Sequence, residues 1–560
     1  MVTPVDGQLV GASPAAGAAP AVPFSLAASS NRAPNSSAPR AGGVSSPSTP
    51  DGLRLRDSPQ RPTIWLGVLG AQFIAVVGFG LAEFTRHSLT YDFAAYGQAW
   101  WLIGRGNLDP WSSVIGIRFV ANNAELFVWV LALVAPIART TFALIVLQDL
   151  ALVATEAVAF AWILELTGCP LRGLQATSQV PTSRARPNLA WAGLVALALD
   201  PWVVLVAAHP VHLEAFAALF VTLMARALWR RRRGAIPLWA IGLVLTGFIG
   251  ALALCGVGLG ELLDRRRSLG WGTALLAGGI GWSVTCMELG LAGAGGAFAS
   301  KKLGYLAPHG PALTGPVAIL LALATHPGRA AAAVGAQAGF VLLLLLPLGL
   351  LGIATARGGA LAATIFGPAL LLGPHVFARG ATVYQFWPAL PVLLVGTVGW
   401  LTGRTLSAPR LARDVRRFEV AWAATAAAVL AVSSSILLPQ WISITPTEAR
   451  VLDVVLQRTP AQAEVISTYA FSGSFATRAE IVPIMRPSEL LPIRAPEVVF
   501  VLAPSVGVVQ VAEGRTARFA RVVGGLPGAR PIVERDGIAA YLWRPPRGTT
   551  AIEFPSGAVR

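Results

Sequence analysis

Apolar segments of membrane-spanning length recur throughout this sequence, with short polar stretches between them. Only 12% of the 560 residues are charged and 54% are hydrophobic, whereas a soluble domain carries about 25% charged residues. Segments of roughly 18 or more apolar residues can cross the hydrocarbon core as helices, which satisfy their own backbone hydrogen bonds there. The sequence therefore predicts an α-helical polytopic membrane protein.

The hydropathy pattern predicts about 11 spans. The apolar segment Glu125–Ile137 is expected to lie at the outer interface, because a further span there would place Arg230–Arg233 outside. Two short helices are expected to meet near Ala253–Gly258, which a membrane tolerates only beside protein or a wet cavity, so we expect a cavity that opens outward. The predicted spans lie near residues 64–84, 141–163, 190–207, 213–229, 236–250, 252–264, 271–291, 334–353, 360–376, 386–402 and 418–438.

The net charge of +16 would suit a nucleic-acid-binding protein, but its distribution excludes that class. Most arginines lie in short loops that this topology places on the inner face, as the positive-inside rule requires. Arg54, Arg56 and Arg61 precede the first span and place the N-terminus in the cytoplasm. The sequence predicts a multi-pass protein of the cell inner (plasma) membrane.

Three domains are predicted. Residues 1–60 are rich in Ala, Pro, Ser and Gly, which predicts a disordered cytoplasmic tail without a secretory signal peptide. Residues 61–439 form the transmembrane domain, with a first outer loop at 85–139. Residues 440–560 are predicted to form a small extracytoplasmic α/β domain. It comprises β-like runs at Glu464–Thr468, Ile481–Met485, Glu497–Leu502 and Tyr541–Arg544, helical patterns at Pro446–Gln457 and Arg515–Val523, and a hairpin turn at Asp536-Gly537.

The first outer loop carries the strongest candidate for chemistry. Asp92 lies a few residues beyond the first span, between Tyr91 and Phe93. A carboxylate at the outer interface could deprotonate an acceptor hydroxyl or hold a cation against a lipid-linked phosphate. The alternative is a helix N-cap, because Asp is common at that position. Asp109, before Pro110, is interpreted as a turn residue.

Further polar residues are candidates at the same face. Glu125 follows Asn122 and Asn123, and the three could contribute oxygen ligands or simply begin a capped helix, which we favour. His209, His212 and Glu214 lie within six residues at an outer junction, where they could bind a substrate or a metal or be interfacial residues around a proline turn. The six histidines, all at predicted outer positions, are His87, His209, His212, His309, His326 and His375.

Basic, acidic and aromatic residues leave two interpretations open. Lys301, Lys302, Arg329 and Arg379 could neutralise a lipid-linked phosphate or contact anionic headgroups. Asp149 and Glu156, seven residues apart on one face of a predicted span, could be functional or structural. Tryptophans suit an aromatic belt, with sugar stacking as the alternative: Trp100, Trp101, Trp111 and Trp387. The cysteines have no ligand spacing and predict neither zinc nor disulfides: Cys169, Cys255 and Cys286.

Several short motifs together resemble the bacterial domain-of-unknown-function family 2079. The matching segments, between about residues 64 and 545, are Tyr91-Asp92-Phe93, Gln98-Ala99-Trp100, Gly116-Ile117-Arg118-Phe119, His209-Pro210 with His212-Leu213-Glu214, Leu303-Gly304-Tyr305, Tyr384 to Pro388, and Ala463–Arg478. That family in turn resembles GT-C glycosyltransferases, which use polyprenyl-phosphate sugar donors. The resemblance implies a GT-C-like fold, a catalytic role for Asp92 and a substrate-binding role for Tyr384.

The sequence departs from the family pattern at three places. The family usually has a second acidic residue near Gly97 and an Asp-His pair where this chain has Asn122-Asn123. Charged residues of its broken-helix region correspond here to Cys255-Gly256-Val257. The departures imply either a reduced, metal-independent site or a loss of transfer activity.

Three functions are therefore weighed. The first is a glycosyltransferase for cell-envelope glycan assembly, with Asp92 as base and a polyprenyl-phosphate sugar, a glycan acceptor and membrane lipid as partners. For it we predict substrate contacts at His209, His212, Glu214, Lys301, Lys302, Arg379 and Tyr384. The second is a non-catalytic envelope protein that binds lipid-linked glycan or partner proteins, and the third is a transporter. No resident metal or cofactor is assigned, and a divalent cation is left open.

Overall fold

The structure is a computed structural model that describes residues 62–138, 140–169, 187–264, 268–291, 303–307, 315–371, 383–407, 412–441, 444–484, 489–503 and 513–554. The predicted tail at 1–60 lies outside these residues, as do Lys301, Lys302 and Arg379.

Most of the described residues are helical. The α-helices are α1 (Pro62–Thr85), α2 (Tyr91–Gly104), α3 (Val120–Asn123), α4 (Phe127–Ala132), α5 (Phe142–Leu166), α6 (Pro187–Ala198), α7 (Pro201–Ala207), α8 (Glu214–Trp229), α9 (Ile236–Leu245), α10 (Phe248–Leu263), α11 (Leu269–Glu288), α12 (Gly315–Thr325), α13 (Pro327–Gly335), α14 (Ala338–Leu345), α15 (Ala356–Leu371), α16 (Val383–Phe386), α17 (Leu390–Ser407), α18 (Ala412–Trp441), α19 (Pro446–Arg458) and α20 (Glu513–Gly524). Short 3₁₀ helices lie at Arg233–Ala235, Gly304–Leu306, Leu346–Leu348, Leu351–Ala354 and Tyr469–Phe475.

Four helical stretches in the described part are long and apolar enough to cross a membrane: Ile64–Thr85, Phe142–Leu166, Pro187–Ala207 and Val415–Ser435. A fifth candidate is a pair bent by 90°, Ala318–Thr325 with Pro327–Gly335. Shorter apolar helices accompany them. These helices indicate a membrane protein, and the eleven spans and their orientation stay a prediction.

The expected break near Ala253–Gly258 is wrong, because these residues lie within the continuous helix α10. Glycines let α10 pack closely on its neighbours: a Cβ on Gly256 would lie 2.3 Å from Thr364 Oγ1, and one on Gly258 2.5 Å from the Leu276 nitrogen. The chain breaks earlier, between α9 and α10, at Thr246 and Gly247. Gly247 has a φ of +98°, which a residue with a Cβ rarely adopts.

Two other segments differ from their predictions. The expected interfacial helix Glu125–Ile137 is helical only at Phe127–Ala132, and turns follow it. The predicted span 334–353 is not a continuous helix, because α14 ends in two 3₁₀ turns around Gly349, whose φ is +80°. Proline at position 347 and a glycine with positive φ both disfavour continuation of an α-helix.

The C-terminal residues form a small α/β unit. Its strands are β3 (Glu464–Thr468), β4 (Ile481–Ile484), β5 (Glu489–Pro492), β6 (Val498–Leu502), β7 (Arg530–Arg535), β8 (Ile538–Trp543) and β9 (Ala551–Phe554); β1 (Trp111–Ser112) and β2 (Ile117–Arg118) form a small hairpin in the first loop.

Strands β4, β3 and β6 are parallel, and β8 and β7 extend the sheet in antiparallel order. Asp536 and Gly537 form the two-residue turn between β7 and β8, with φ values of 52° and 75°. Because both φ values are positive, the turn is of type I′, as expected for an Asp-Gly pair. A capping box at Thr445 and Glu448 begins α19.

This unit docks on the first loop through buried contacts. The Gly473 nitrogen donates to the Leu89 carbonyl at 2.7 Å. The Gln98 amide donates to the carbonyls of Arg478 (3.1 Å) and Ala479 (2.9 Å), and the Ile481 nitrogen donates to Ser113 Oγ at 2.7 Å. Gln98 is fully buried, so the docking depends on specific hydrogen bonds as well as on apolar contact.

Replacement of Gly473 by Ala is expected to loosen this docking. The added Cβ would lie 2.6 Å from Leu89 Cβ and 2.7 Å from the Leu89 carbonyl oxygen. Overpacking of this kind costs about 1–3 kcal/mol in the free energy of unfolding. Thermal unfolding of the purified protein measures it, with Gly525→Ala as control because its Cβ would meet no atom nearer than 3.5 Å. Equal unfolding temperatures for the two variants would contradict the prediction.

Candidate functional site

The candidate site begins at the first turn of α2. Thr90 is the N-cap residue and makes no side-chain cap bond, and Asp92 is the second residue of the helix. The alternative interpretation of Asp92 as an N-cap is therefore wrong. The Tyr91 ring stacks on Tyr469 of the C-terminal unit, with centroids 6.1 Å apart and planes 8° apart. The start of α2 is therefore in contact with the C-terminal unit through Tyr91.

Asp92 faces the histidine segment predicted from the sequence. His212 Nε2 lies 3.8 Å from Asp92 Oδ2, and His212 Nδ1 lies 3.9 Å from Glu214 Oε2. The His212 side chain is 5% exposed, and that of Asp92 is 37% exposed. The imidazole thus separates two carboxyl groups, one of which is open to solvent or substrate. Three residues named from the sequence come together here.

His212 is held by the backbone that precedes it. Its nitrogen donates to Gln148 Oε1 at 2.5 Å, and the amide of Gln148 donates to the carbonyl of His209 at 3.2 Å. His209 Nδ1 lies 2.8 Å from the Leu205 carbonyl oxygen, and its ring centroid is 6.2 Å from that of His212. Gln148, on α5, therefore fixes the position of the whole segment. Sequence reasoning did not identify Gln148.

Glu125 is a further carboxyl group of the site. Tyr96 Oη donates to Glu125 Oε1 at 2.7 Å, and the amides of Asn122 and Asn123 lie 3.4 Å from its two oxygens. Glu125 is 5% exposed, and α4 begins after it with Leu126 as N-cap. Glu125 therefore does not cap a helix, contrary to the favoured interpretation.

Two neighbours complete the setting of Glu125. The ring of Tyr96 packs edge-on against that of His212, with centroids 6.1 Å apart. A Cβ on Gly247 would lie 2.9 Å from Glu125 Cγ and 2.8 Å from the Asn123 carbonyl oxygen. The chain break at Thr246–Gly247 thus makes room for this carboxyl group. Tyr96 was not singled out from the sequence, although it lies one helical turn beyond Asp92.

Burial shifts the protonation of these groups. It raises the pKa of Asp92 to about 6. It also raises the pKa of Glu125 to about 7, against the opposing effect of its hydrogen bonds from Tyr96 and the two asparagines. Burial lowers the pKa of His212, so this imidazole is neutral at pH 7. Asp92 is therefore a largely ionised carboxylate at neutral pH with a neutral histidine beside it, which suits proton abstraction.

A divalent cation is not assigned to this arrangement. The described residues contain no group of three or more His, Cys, Asp or Glu side chains placed to hold a metal ion. We therefore derive no step through a metal.

The other candidates with described side chains lie elsewhere. Tyr384 is in α16, and its side chain lies outside the described residues, as do His309, His375 and the basic residues Lys301, Lys302 and Arg379. Arg329 donates to the Leu306 carbonyl at 3.2 Å and supports a loop. His87 pairs with Asp453, and Asp109 with Arg118 at 2.7 Å. Fully buried Asp149 and Glu156 lie within α5.

The tryptophans do not form one belt. Trp100 and Trp387 are buried, with exposed fractions of 3% and 0%, whereas Trp111 is 47% exposed. The Trp100 indole nitrogen donates to the Leu131 carbonyl at 2.9 Å. Trp100 and Trp387 are therefore packing residues, and the belt interpretation fits only Trp111 of these three.

Comparison with known proteins finds similarity among solved structures. No family model matches the chain and no curated protein is similar to it, so the resemblance to family 2079 is not confirmed. The chain is similar to the crystal structure of ArnT from Cupriavidus metallidurans bound to undecaprenyl phosphate. The TM-score is 0.45 and the sequence identity 12%, over 86% of this chain and 98% of that one.

Proposed function

We propose that the protein is a membrane glycosyltransferase of GT-C type that takes a sugar from a polyprenyl-phosphate donor at the outer face, for cell-envelope glycan assembly. The observation that carries the proposal is a cluster of ionisable groups around the accessible carboxylate of Asp92. His212 lies between Asp92 and Glu214, and Tyr96, which packs against His212, holds Glu125. Groups from α2, the α7–α8 junction and the loop before α4 meet there. Such clustering of buried ionisable groups with shifted pKa values is typical of catalytic sites.

Asp92 is the general base in the proposed reaction. Its carboxylate takes the proton of the acceptor hydroxyl while the acceptor oxygen bonds to the anomeric carbon of the sugar. The bond from that carbon to the donor phosphate oxygen breaks, and its electron pair leaves with the polyprenyl phosphate. The proton ends on Asp92 and is released to solvent through the exposed side of its carboxyl group.

The surrounding residues position this base. Neutral His212 lies between Asp92 and Glu214, and its backbone is anchored by Gln148. Tyr96 holds Glu125 by a hydrogen bond. Lys301, Lys302, Arg379 and Tyr384 remain proposed contacts of the donor.

The pH dependence of transfer follows from the pKa of Asp92. Transfer requires ionised Asp92, so the rate should be about one tenth of its maximum at pH 5, half of it at about pH 6, and level off above about pH 7. The free energy of unfolding changes with pH in the opposite direction. Because the pKa of Asp92 is higher in the folded state than in the unfolded state, Asp92 contributes stability below about pH 4, and this contribution is lost as the pH rises through about 6. Initial rates between pH 4.5 and 8 measure the first effect. A rate that is flat across this range would contradict the role of Asp92.

A structure in lipid nanodiscs with added polyprenyl phosphate tests the proposal directly. We expect phosphate density within reach of Asp92 and His212, and transfer of radiolabelled sugar from a matching donor in the same preparation. Phosphate bound elsewhere, with no transfer from a panel of polyprenyl-phosphate sugars, would refute the proposal.

A second candidate is a non-catalytic envelope protein that binds lipid-linked glycan. The observation that favours it concerns Gly97, where the family pattern expects an acidic residue. A Cβ there would lie 2.7 Å from Ala476 Cβ, so the position is used for docking of the C-terminal unit. Under this function Asp92→Asn would leave glycan binding and the cellular role unchanged.

A further inference from the structure

A cavity lies on the side of α2 that does not face His212. It encloses about 630 Å³ between the C-terminal half of α2, the turns after α4 and the C-terminal unit. Its lining includes Trp101, Arg105, Thr141, Thr477 and Arg478. This volume is in the range of small-molecule binding sites, about 300–1,000 Å³.

The cavity is separate from the candidate active site. Trp101 follows Asp92 by nine residues, which in an α-helix is a rotation of about 180° and a rise of about 14 Å. The lining residues include neither Asp92 nor His212 nor Glu125. A ligand in the cavity therefore does not contact the proposed base.

The lining is positively charged. The described residues that line it include Arg105 and Arg478 and no carboxylate. The guanidinium of Arg478 is fixed by the carbonyls of Thr459 (3.1 Å) and Pro460 (2.5 Å), so it supplies charge from a rigid position. Arg105 makes no salt bridge within the described residues. Among the residues that the structure describes, neither arginine is paired with a carboxylate, and two such cations in one cavity favour an anionic ligand.

Aromatic and hydroxyl groups add to this charge. The Arg105 guanidinium carbon lies 4.3 Å from the centroid of the Trp101 ring, which holds it in place without using its hydrogen-bond donors. Thr140, Thr141 and Thr477 supply hydroxyl groups, and Ala135, Pro136 and Ala138 supply an apolar wall. A sugar ring carries both hydroxyl groups and apolar C–H groups, so a lining of hydroxyl groups and small apolar side chains is complementary to it.

From these features we propose that the cavity binds a saccharide that carries a phosphate or carboxylate group. The anion binds Arg105, and the sugar lies against the threonine hydroxyls and the apolar wall. The site does not depend on transfer at Asp92 and would be present in a non-catalytic protein as well.

Calorimetric titration of the full chain in nanodiscs of zwitterionic lipid tests the proposal. The probes are glucose 6-phosphate, glucose and inorganic phosphate, each at neutral pH. We expect glucose 6-phosphate to bind most tightly, Arg105→Gln and Trp101→Leu each to weaken it about tenfold or more, and Asp92→Asn to leave it unchanged. Arg118→Gln is the matched control, because Arg118 is in the same loop, 67% exposed and paired with Asp109.

Three results would overturn the proposal. One is equal binding of glucose 6-phosphate to the wild type and to Arg105→Gln. A second is equally tight binding of inorganic phosphate and glucose 6-phosphate, which would indicate that the cavity recognises the anion and not the sugar. The third is loss of binding in nanodiscs of anionic lipid, which would identify a lipid headgroup as the occupant.

Discussion

Replacement of Asp92 by Asn is expected to lower the rate of sugar transfer by about 10²–10⁴-fold, the usual contribution of a general base. The amide has nearly the shape of the carboxyl group but cannot accept the acceptor's proton. Burial already disfavours the ionised form of Asp92, whose pKa is raised to about 6, so the neutral amide should be tolerated by the fold. Initial rates with a polyprenyl-phosphate sugar, together with the yield and unfolding temperature of the variant, measure both effects.

The control is Asp109→Asn. Asp109 is in the same loop, but its carboxylate is half exposed and pairs with Arg118 at the surface. Exposed pairs contribute little, so this variant should transfer sugar at nearly the wild-type rate. Wild-type turnover by Asp92→Asn would remove Asp92 from the mechanism and favour the non-catalytic function.

The largest loss of stability is expected from Glu165→Gln, at about 3–5 kcal/mol. Glu165 is 4% exposed near the end of α5. It receives hydrogen bonds from Arg226 of α8 and from Arg230, the residue that follows α8, one of them from Arg230 Nε at 2.8 Å. Both guanidinium groups are mostly buried, with 16% and 11% of their side chains exposed. Without the carboxylate, two like charges would remain buried and unneutralised.

The loss of stability can be measured as a lower unfolding temperature, taken from the fraction of monomer that remains after heating in detergent. Asp109→Asn again serves as the control, since it also removes one charge from an ion pair, but an exposed one. A similar unfolding temperature for the wild type and Glu165→Gln would show that the arginines find other partners. Because α5 also carries Gln148, which anchors His212, we expect destabilised samples to lose transfer activity as well.

Local sequence signals predicted the C-terminal unit well. Predicted strand Glu464–Thr468 has the bounds of β3, and the Asp536-Gly537 turn was expected because Asp-Gly tolerates positive φ at both positions. The boundaries of α19 agree to within one residue at each end. The pairing of β5 with β9 was missed, because these strands are about sixty residues apart and neither has a strong local pattern.

The site was predicted only in part. Asp92, His212 and Glu214 were named and lie together, because each belongs to a polar stretch next to an apolar segment. Tyr96 and Gln148 were missed, since their partners lie far along the chain and composition does not reveal them. The helix break was placed at Ala253–Gly258 because Arg230–Arg233 and Arg265–Arg267 were both assigned to the inner face, which requires two short helices between them. The glycines of that segment instead let one continuous helix pack closely on its neighbours. The signal for the true break was the Thr246-Gly247 pair at the end of an apolar run.

Docking of the C-terminal unit on the first loop has a consequence for how the protein is made. Ser113 and Ile481 bond across 368 positions of the sequence, and Gln98 and Arg478 across 380. Contacts so distant in sequence form slowly, and the second partner of each is synthesised long after the first. The loop with Asp92 therefore emerges well before the residues that it needs to reach its final structure. A chain truncated before residue 464 would leave the polar groups of Gln98 and Ser113 without these partners, so such a truncation would disturb the candidate active site as well as remove the C-terminal unit.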